Sequence, residues 1–308
     1  MKVSIIIPTY NEKEHLPGCL NSISHLDYPK ENIEVIVVDN GSTDQTREIA
    51  KSHNVKVLCD NHVNVSGLRN LGAKHSNGDI LAFIDADCVV SRRWLKNASK
   101  YLNEEDVVAW GSPPTLPEDP TWVQQIWYLI RQKENQVQEV DWLETMNLFV
   151  RKDLFFEISG FNDSLVTCED VDFCYRVRHH GRIISDDRLE VIHLGEASTL
   201  KEFIRKEIWR GRSNLAGISS HGLSLKELPS LSIPLYFGLF LPVTLLVIIV
   251  FLKYAWLFGW LLLYLFPSAA VLFKMRKKRI GLVALFRLLF LLQVYFFSRT
   301  IAILKKGL

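Results

Sequence analysis

The sequence predicts an α/β chain, with a Rossmann-like domain on a mostly parallel sheet followed by C-terminal transmembrane helices. Three observations predict it. Short β-branched apolar runs alternate with helical patterns over roughly the first two hundred residues, as in a doubly wound sheet. Two of those runs end on an acid, Asp39 and Asp85. Beyond Ser230 come two uncharged stretches, Leu231 to Leu252 and Ala255 to Phe273.

The elements follow in order. Val3-Ser4-Ile5-Ile6-Ile7-Pro8 has the β-branched, apolar character of a strand buried on both faces. Asn11 to Ser24 reads as a helix through the spacing of Leu16, Leu20 and Ile23. Ile33 to Val38 is a second strand ending on Asp39-Asn40-Gly41-Ser42, with Ser42 or Thr43 placed to cap a helix over Asp44 to His53. Val55 to Leu58 is a third strand, a helix is expected near Gly67 to Ser76, and Ile80 to Ile84 is a fourth strand ending on Asp85. Past a proline-rich loop, a helix is expected from Thr121, a strand over Met146 to Val150, a helix from Glu169 through Arg178, and a last strand at Val191 to His193. Ligands of such sheets bind beyond the carboxyl ends of the strands, where Asp39 and Asp85 fall.

Composition narrows the function classes. The 308 residues carry a formal net charge of +2, which excludes the bulk basic field that wraps nucleic acid. Lys2 is followed by only five residues before Pro8, too short for a secretory signal core of roughly 7–15 apolar residues. The first part is therefore expected to stay in the cytoplasm. Five cysteines (Cys19, Cys59, Cys88, Cys168, Cys174) are an odd number without zinc-type spacing, and are read as reduced and structural.

Asp85 and Asp87 flank one small residue at a strand end. Both carboxylates can face one cleft there, and hard oxygen ligands suit Mg²⁺ or Mn²⁺ bridging a diphosphate. A solvated turn is the alternative for the triplet taken alone.

The chain resembles the family 2 glycosyltransferases, which have the GT-A fold. The matching segments, in order, are Ser4 to Glu12, Val37 to Asp44, Arg69 to Ala73, Gly78 to Asp87, and Glu169-Asp170. The resemblance implies a nucleotide-diphospho-sugar donor, expected to be a UDP-sugar, a divalent metal, and inversion at the anomeric carbon. It assigns Pro8, Tyr10 and Glu12 to the nucleotide pocket, Asp39 to the base, and Arg69 to the base or phosphate. Asp85 falls to the ribose and metal side, and Asp87 to direct metal ligation. Asp170 matches the family's general base, with Glu169 orienting it or the acceptor; a helix start rich in acids is the plainer reading. The glycine pair usual upstream reads Ser159-Gly160 here. His193 stands where several members carry a metal ligand, or is a structural strand-end histidine. Trp142 and Asn147 either line the sugar and acceptor site or pack in the core. Arg210 and Arg212 lie in a basic, tryptophan-bearing stretch that can hold the leaving diphosphate, a lipid phosphate, or anionic lipid.

A catalytic domain is expected over residues 1–228 and a membrane anchor over 229–308. At about 1.5 Å per residue, each uncharged run can cross a hydrocarbon core roughly 30 Å thick, so 231–252 and 255–273 form a hairpin. Five positive residues among Lys274 to Arg279 place its end in the cytoplasm. The third apolar segment, 280–304, holds Arg287, Gln293 and Arg299 on no common face, and reads as a third span better than as an interfacial helix. The expectation is a multi-pass plasma-membrane enzyme with a cytoplasmic catalytic domain. It moves sugar to a lipid-linked or glycan acceptor in surface polysaccharide or glycolipid synthesis. Transfer to polyprenyl phosphate is the runner-up, and an inactive membrane scaffold the reading of another class.

Overall fold

The computed structural model describes residues 2–132, 136–211, 228–251, 256–276, 278 and 280–306. The chain forms two compact units: residues 1–119 with 132–196, and residues 120–131 with 197–308. The division between the units falls after Glu196, with Pro120–Arg131 also in the second unit.

The first unit holds β1 (Val3–Thr9), α1 (Leu16–Ser24), β2 (Ile33–Asp39), α2 (Thr46–Ser52), β3 (Lys56–Cys59), α3 (Val65–Lys74), β4 (Ile80–Ile84), β5 (Cys88–Val90), α4 (Trp94–Ala98) and β6 (Val107–Gly111). Next in the chain is α5 (Trp122–Arg131), which belongs to the second unit. The first unit then resumes with β7 (Val137–Glu139), β8 (Asn147–Arg151), α6 (Lys152–Glu157), α7 (Glu169–Val177), β9 (Arg182–Asp186) and β10 (Val191–His193). The main sheet runs β3-β2-β1-β4-β8-β6-β9-β7, and β10 pairs with β5 as a separate antiparallel ribbon.

β1 is buried along all seven residues, as a central parallel strand must be, and pairs with β2 on one side and β4 on the other. The sheet turns antiparallel at β8, which lies between β4 and β6. Two apolar clusters cover the sheet. One gathers Ile5, Ile7, Leu16, Leu20 and Trp94 on the α1 and α4 side. The other gathers Ile6, Leu68, Phe83, Phe155 and Phe173 on the α3 and α7 side.

Two helix starts differ from expectation. The first helix begins at Leu16, because Asn11 takes a left-handed turn with φ 55°. Ser42 and Thr43 do not cap α2: it begins at Thr46, whose N–H donates to Asp44 Oδ1 at 3.0 Å. The strand near Met146, the helix from Glu169 and the strand at Val191 form as expected.

The second unit comprises α5, α8 (Leu200–Gly211), α9 (Leu228–Leu235), α10 (Leu241–Phe251), α11 (Trp256–Lys274) and α12 (Leu282–Lys306), a π-helical turn joining α9 to α10. Three of its segments, Ser232–Phe251, Trp256–Phe273 and Leu282–Leu304, are long and apolar enough to cross a membrane. Three polar residues of α12 each meet a different helix. The Arg287 guanidinium lies 5.8 Å from the Trp122 ring of α5. Gln293 donates to Ser268 Oγ of α11 at 2.6 Å, and Arg299 lies 2.9 Å from Glu207 of α8.

Candidate active site

The site grows from the carboxyl ends of three parallel strands. Thr9 ends β1 in register with Asp39, which ends β2. Asp39 is wholly buried, accepting from the Ser42 N–H at 2.9 Å, from the Ser42 hydroxyl, and from Thr9 Oγ1 at 3.4 Å. The turn after β2 is stitched to the segment after β1. Asn11 N–H donates to Ser42 Oγ at 2.9 Å, Thr43 N–H to Asn11 Oδ1 at 2.9 Å, and Glu12 N–H to Thr46 Oγ1 at 2.8 Å. Pro8 is buried beneath this stitching, while Tyr10 stands 57% exposed. Burial raises the Glu12 carboxyl and the charges of Asp87 and Asp85 add to the rise, offsetting a hydrogen bond from His15 that lowers it.

Past β4, Asp85 and Asp87 take different partners. Asp85 Oδ1 accepts from Arg69 Nη2 at 2.7 Å. Asp87 turns toward the β5–β10 ribbon, where Cys88 stands opposite His193. Its Oδ2 lies 3.1 Å from His193 Nε2, and His193 Nδ1 lies 3.3 Å from Glu196 Oε1. Burial opposes charge on the imidazole, but the hydrogen bonds of Asp87 and Glu196 outweigh it and raise its pKa to about 9.

A carboxylate and an imidazole suit Mn²⁺ or Mg²⁺, and Asp87 and His193 are the residues that fit such an ion. Gly195 supports the fit: a Cβ there would lie 1.9 Å from Asp87 Oδ2, so only glycine leaves that carboxylate its room. Cys88 Sγ is near, but burial holds its thiol well above the ordinary range and it packs in the sheet core.

The other acidic pair opens α7. Cys168 precedes it in the left-handed region at φ 68°, which turns the chain sharply into the helix. Glu169 Oε1 accepts from Arg69 Nη1 at 2.9 Å. Arg69, on α3 and only 3% exposed, therefore forks between Asp85 and Glu169, with its guanidinium 5.9 Å from the Phe161 ring. Sequence resemblance implied a ligand-binding arginine; the structure occupies both its terminal nitrogens with acids. Burial first, and the charge of Glu169 second, push Asp170 up to about 7. The loop before α7 keeps its shape without a glycine pair, because Ser159 itself adopts φ 65° beside Gly160 at 63°. Arg176 Nη2 then ties that loop down at Gly160 O, 2.7 Å away.

Other expected site residues lie apart from this cluster. Asn147 is buried in the core, accepting from Trp94 Nε1 at 2.9 Å and donating to Ser112 Oγ at 2.8 Å and Leu189 O at 2.7 Å. Every arm of its amide is used, which is the packing alternative rather than a sugar contact. Trp142 is 41% exposed and open to a ligand. Arg210 belongs to the second unit, where its Nη1 donates to Glu207 Oε1 at 2.8 Å. Arg212 lies outside the described residues. Sequence reasoning passed over Glu196 and Gly195; an acid three residues after His193 was the available signal.

A mostly parallel sheet with acids at its carboxyl edge and an aspartate–histidine pair beside them is the arrangement expected of a GT-A-type glycosyltransferase. The chain belongs to glycosyl transferase family 2, whose family model matches residues 4–159. It is 31% identical over 249 residues to glycosyltransferase AglE of Haloferax volcanii, covering 78% of this chain and 81% of that one. It is 36% identical over 102 residues to the dolichyl N-acetyl-alpha-D-glucosaminyl phosphate 3-beta-D-2,3-diacetamido-2,3-dideoxy-beta-D-glucuronosyltransferase of Methanococcus voltae, covering 31% of this chain and 32% of that one. In fold it resembles mannosyltransferase PcManGT from Pyrobaculum calidifontis, solved with GDP-Man and Mn²⁺, at a TM-score of 0.67 and 18% identity over 99% of this chain and 87% of that one.

Proposed function

We propose that this enzyme is an inverting, metal-dependent glycosyltransferase. It would move a sugar from a nucleoside-diphosphate donor, a UDP-sugar, to a lipid-linked or glycan acceptor at the membrane, in surface polysaccharide or glycolipid assembly. The observation that carries this reading is the Asp85–Arg69–Glu169 chain, which joins the donor-side acid to the neighbour of Asp170. Asp170 takes the proton of the acceptor hydroxyl as its oxygen attacks the anomeric carbon and the bond to the nucleoside diphosphate breaks. A base with a pKa near 7 is matched to that task, and such catalysis contributes roughly 10²–10⁴-fold. Exposed Tyr10 is available to stack on the nucleobase, and buried Asp39 and half-buried Glu12 shape that side of the site. Asp87 and His193 would hold the divalent ion, which when bound offsets the charge of the departing diphosphate.

The apolar helices support a membrane anchor with its acceptor in or on the bilayer, and the lipid-phosphate sugar in the Methanococcus relative's name is of that class. The uncharged hairpin followed by Lys274 to Arg279 supports a plasma-membrane protein with the sheet unit in the cytoplasm. The reading is tested by incubating purified enzyme and Mn²⁺ with UDP- and GDP-sugars and extracted membrane lipid, then determining the anomeric configuration of the product by NMR. Inverted product from a UDP-sugar is expected. Retention, or no nucleotide release with any donor, would overturn it.

A further inference from the structure

Composition gives α12 the look of a third membrane span, but its partners within the second unit say otherwise. Its first half and its midpoint lie against α5. Trp122 meets Phe290 at 6.4 Å, Trp127 meets Tyr295 at 5.4 Å, and just before the helix Lys278 Nζ donates to Leu129 O at 2.6 Å. Its second half lies against α8. Arg299 pairs with the buried Glu207 at 2.9 Å, and a Cβ on Gly211 would lie 2.5 Å from that of Ala302. Both covering helices emerge from the sheet unit. α5 leaves and rejoins it within Pro120–Arg131, and α8 follows it directly. Six of the twelve residues of α8 are charged, with Lys201 and Arg205 exposed, which keeps that helix at water's edge. A crossing helix would carry one of its halves to the far side of a hydrocarbon core roughly 30 Å thick, out of reach of one of these two partners.

The hairpin agrees. It meets α12 through Pro234, whose carbonyl accepts from Thr300 Oγ1 at 3.3 Å, through Phe237 stacked on Phe296 at 4.9 Å, and through Ser268, bonded to Gln293. These residues lie at one end of the hairpin, near the start of its first helix and the end of its second. At the other end Phe251, Trp256 and Phe258 are 61–79% exposed, where a third span alongside would cover them. Finally, Leu282, Phe286, Phe290, Phe297, Ile301 and Leu304 are all exposed. At 3.6 residues per turn they occupy under a third of the circumference of α12.

We infer that α12 does not cross the membrane. It lies along the leaflet on the side of residues 2–211 as an interfacial helix, its exposed apolar face in the acyl boundary and α5 and α8 on its buried side. The bilayer is the occupant of that face, since it continues the exposed apolar surface of the hairpin. The inference rests on the hairpin anchor proposed above.

The test uses full-length chain in sealed inside-out vesicles, carrying an epitope tag either after Tyr254 or after Leu308, with sugar transfer confirming that each tagged chain folds. Protease added outside is expected to remove the Leu308 tag and spare the Tyr254 tag. Protection of the Leu308 tag until detergent is added would make α12 a third span and overturn the inference. Loss of both tags, with the chain released by alkaline carbonate, would overturn the hairpin anchor itself and the lipid contact with it.

Discussion

Arg69 donates to Glu169 at 2.9 Å from a position only 3% exposed, while its other terminal nitrogen holds Asp85 at 2.7 Å. One guanidinium thus sets the spacing between the strand-end acid and the helix start that bears Asp170. Its planar fork serves two acids at once, which an ammonium point charge does not reproduce. Arg69→Ala should cost about 3 kcal/mol of stability by leaving the nearly buried Glu169 and the half-buried Asp85 unpaired, measured as a lowered midpoint in urea. Arg69→Lys should retain most of the stability yet lose transfer, with kcat falling more than KM rises.

The pH dependence follows from Asp170. A base works only when deprotonated, so with its pKa near 7 transfer should rise as pH passes through about 7 and level off above it. The charge of Glu169 helps hold that value up, so Glu169→Gln should move the midpoint to lower pH. Arg69 pulls the other way, and its removal should move the midpoint upward. Initial rates from pH 5.5 to 8.5 read all three.

Metal binding should release a proton. His193 is held protonated to about 9 by Asp87 and Glu196, and a metal must displace that proton. Mn²⁺ affinity, read by electron paramagnetic resonance, should therefore strengthen by about tenfold per pH unit below 9. Glu196→Gln, which keeps the shape but loses the charge that orients the ring, should weaken Mn²⁺ roughly 10–100-fold. Chelation should abolish transfer and addition of Mn²⁺ restore it.

Gly195→Ala should weaken Mn²⁺ by at least about tenfold, because its methyl would fall on the Asp87 carboxylate and press on His193 Nε2. Circular dichroism should be unchanged. Full metal affinity in this variant would mean that Asp87 is not a ligand.

Asn147 and Trp142 should part company. Asn147→Ala strands buried partners on Trp94, Ser112 and Leu189 and should cost about 1–3 kcal/mol of stability, with donor KM unchanged in the folded fraction. Trp142→Ala should leave stability near wild type and impair transfer, since the ring is already 41% exposed.

The strands that carry the site were legible because buried parallel strands read as unbroken β-branched runs, as Val3 to Ile7 and Ile80 to Ile84 do. Their acids were legible because they break those runs at the carboxyl end. Short edge and ribbon strands such as β5 and β7 carry three residues each, too few for a period to register. The partners of Arg69, of Asn147 and of the polar residues of α12 were hidden for another reason. Each depends on partners distant in sequence: Glu169 lies 100 residues from Arg69, and Ser112 lies 35 from Asn147. In α12, Arg287, Gln293 and Arg299 stand on different faces because their partners come from three different helices.

The most direct measurement is transfer by Asp170→Asn, assayed beside nucleotide binding in the same preparation. The side chain keeps its shape and loses its basicity. Transfer should fall roughly 10²–10⁴-fold while the nucleotide still binds and the protein melts near its usual temperature. Transfer at the wild-type rate would contradict the assignment of Asp170 as the base.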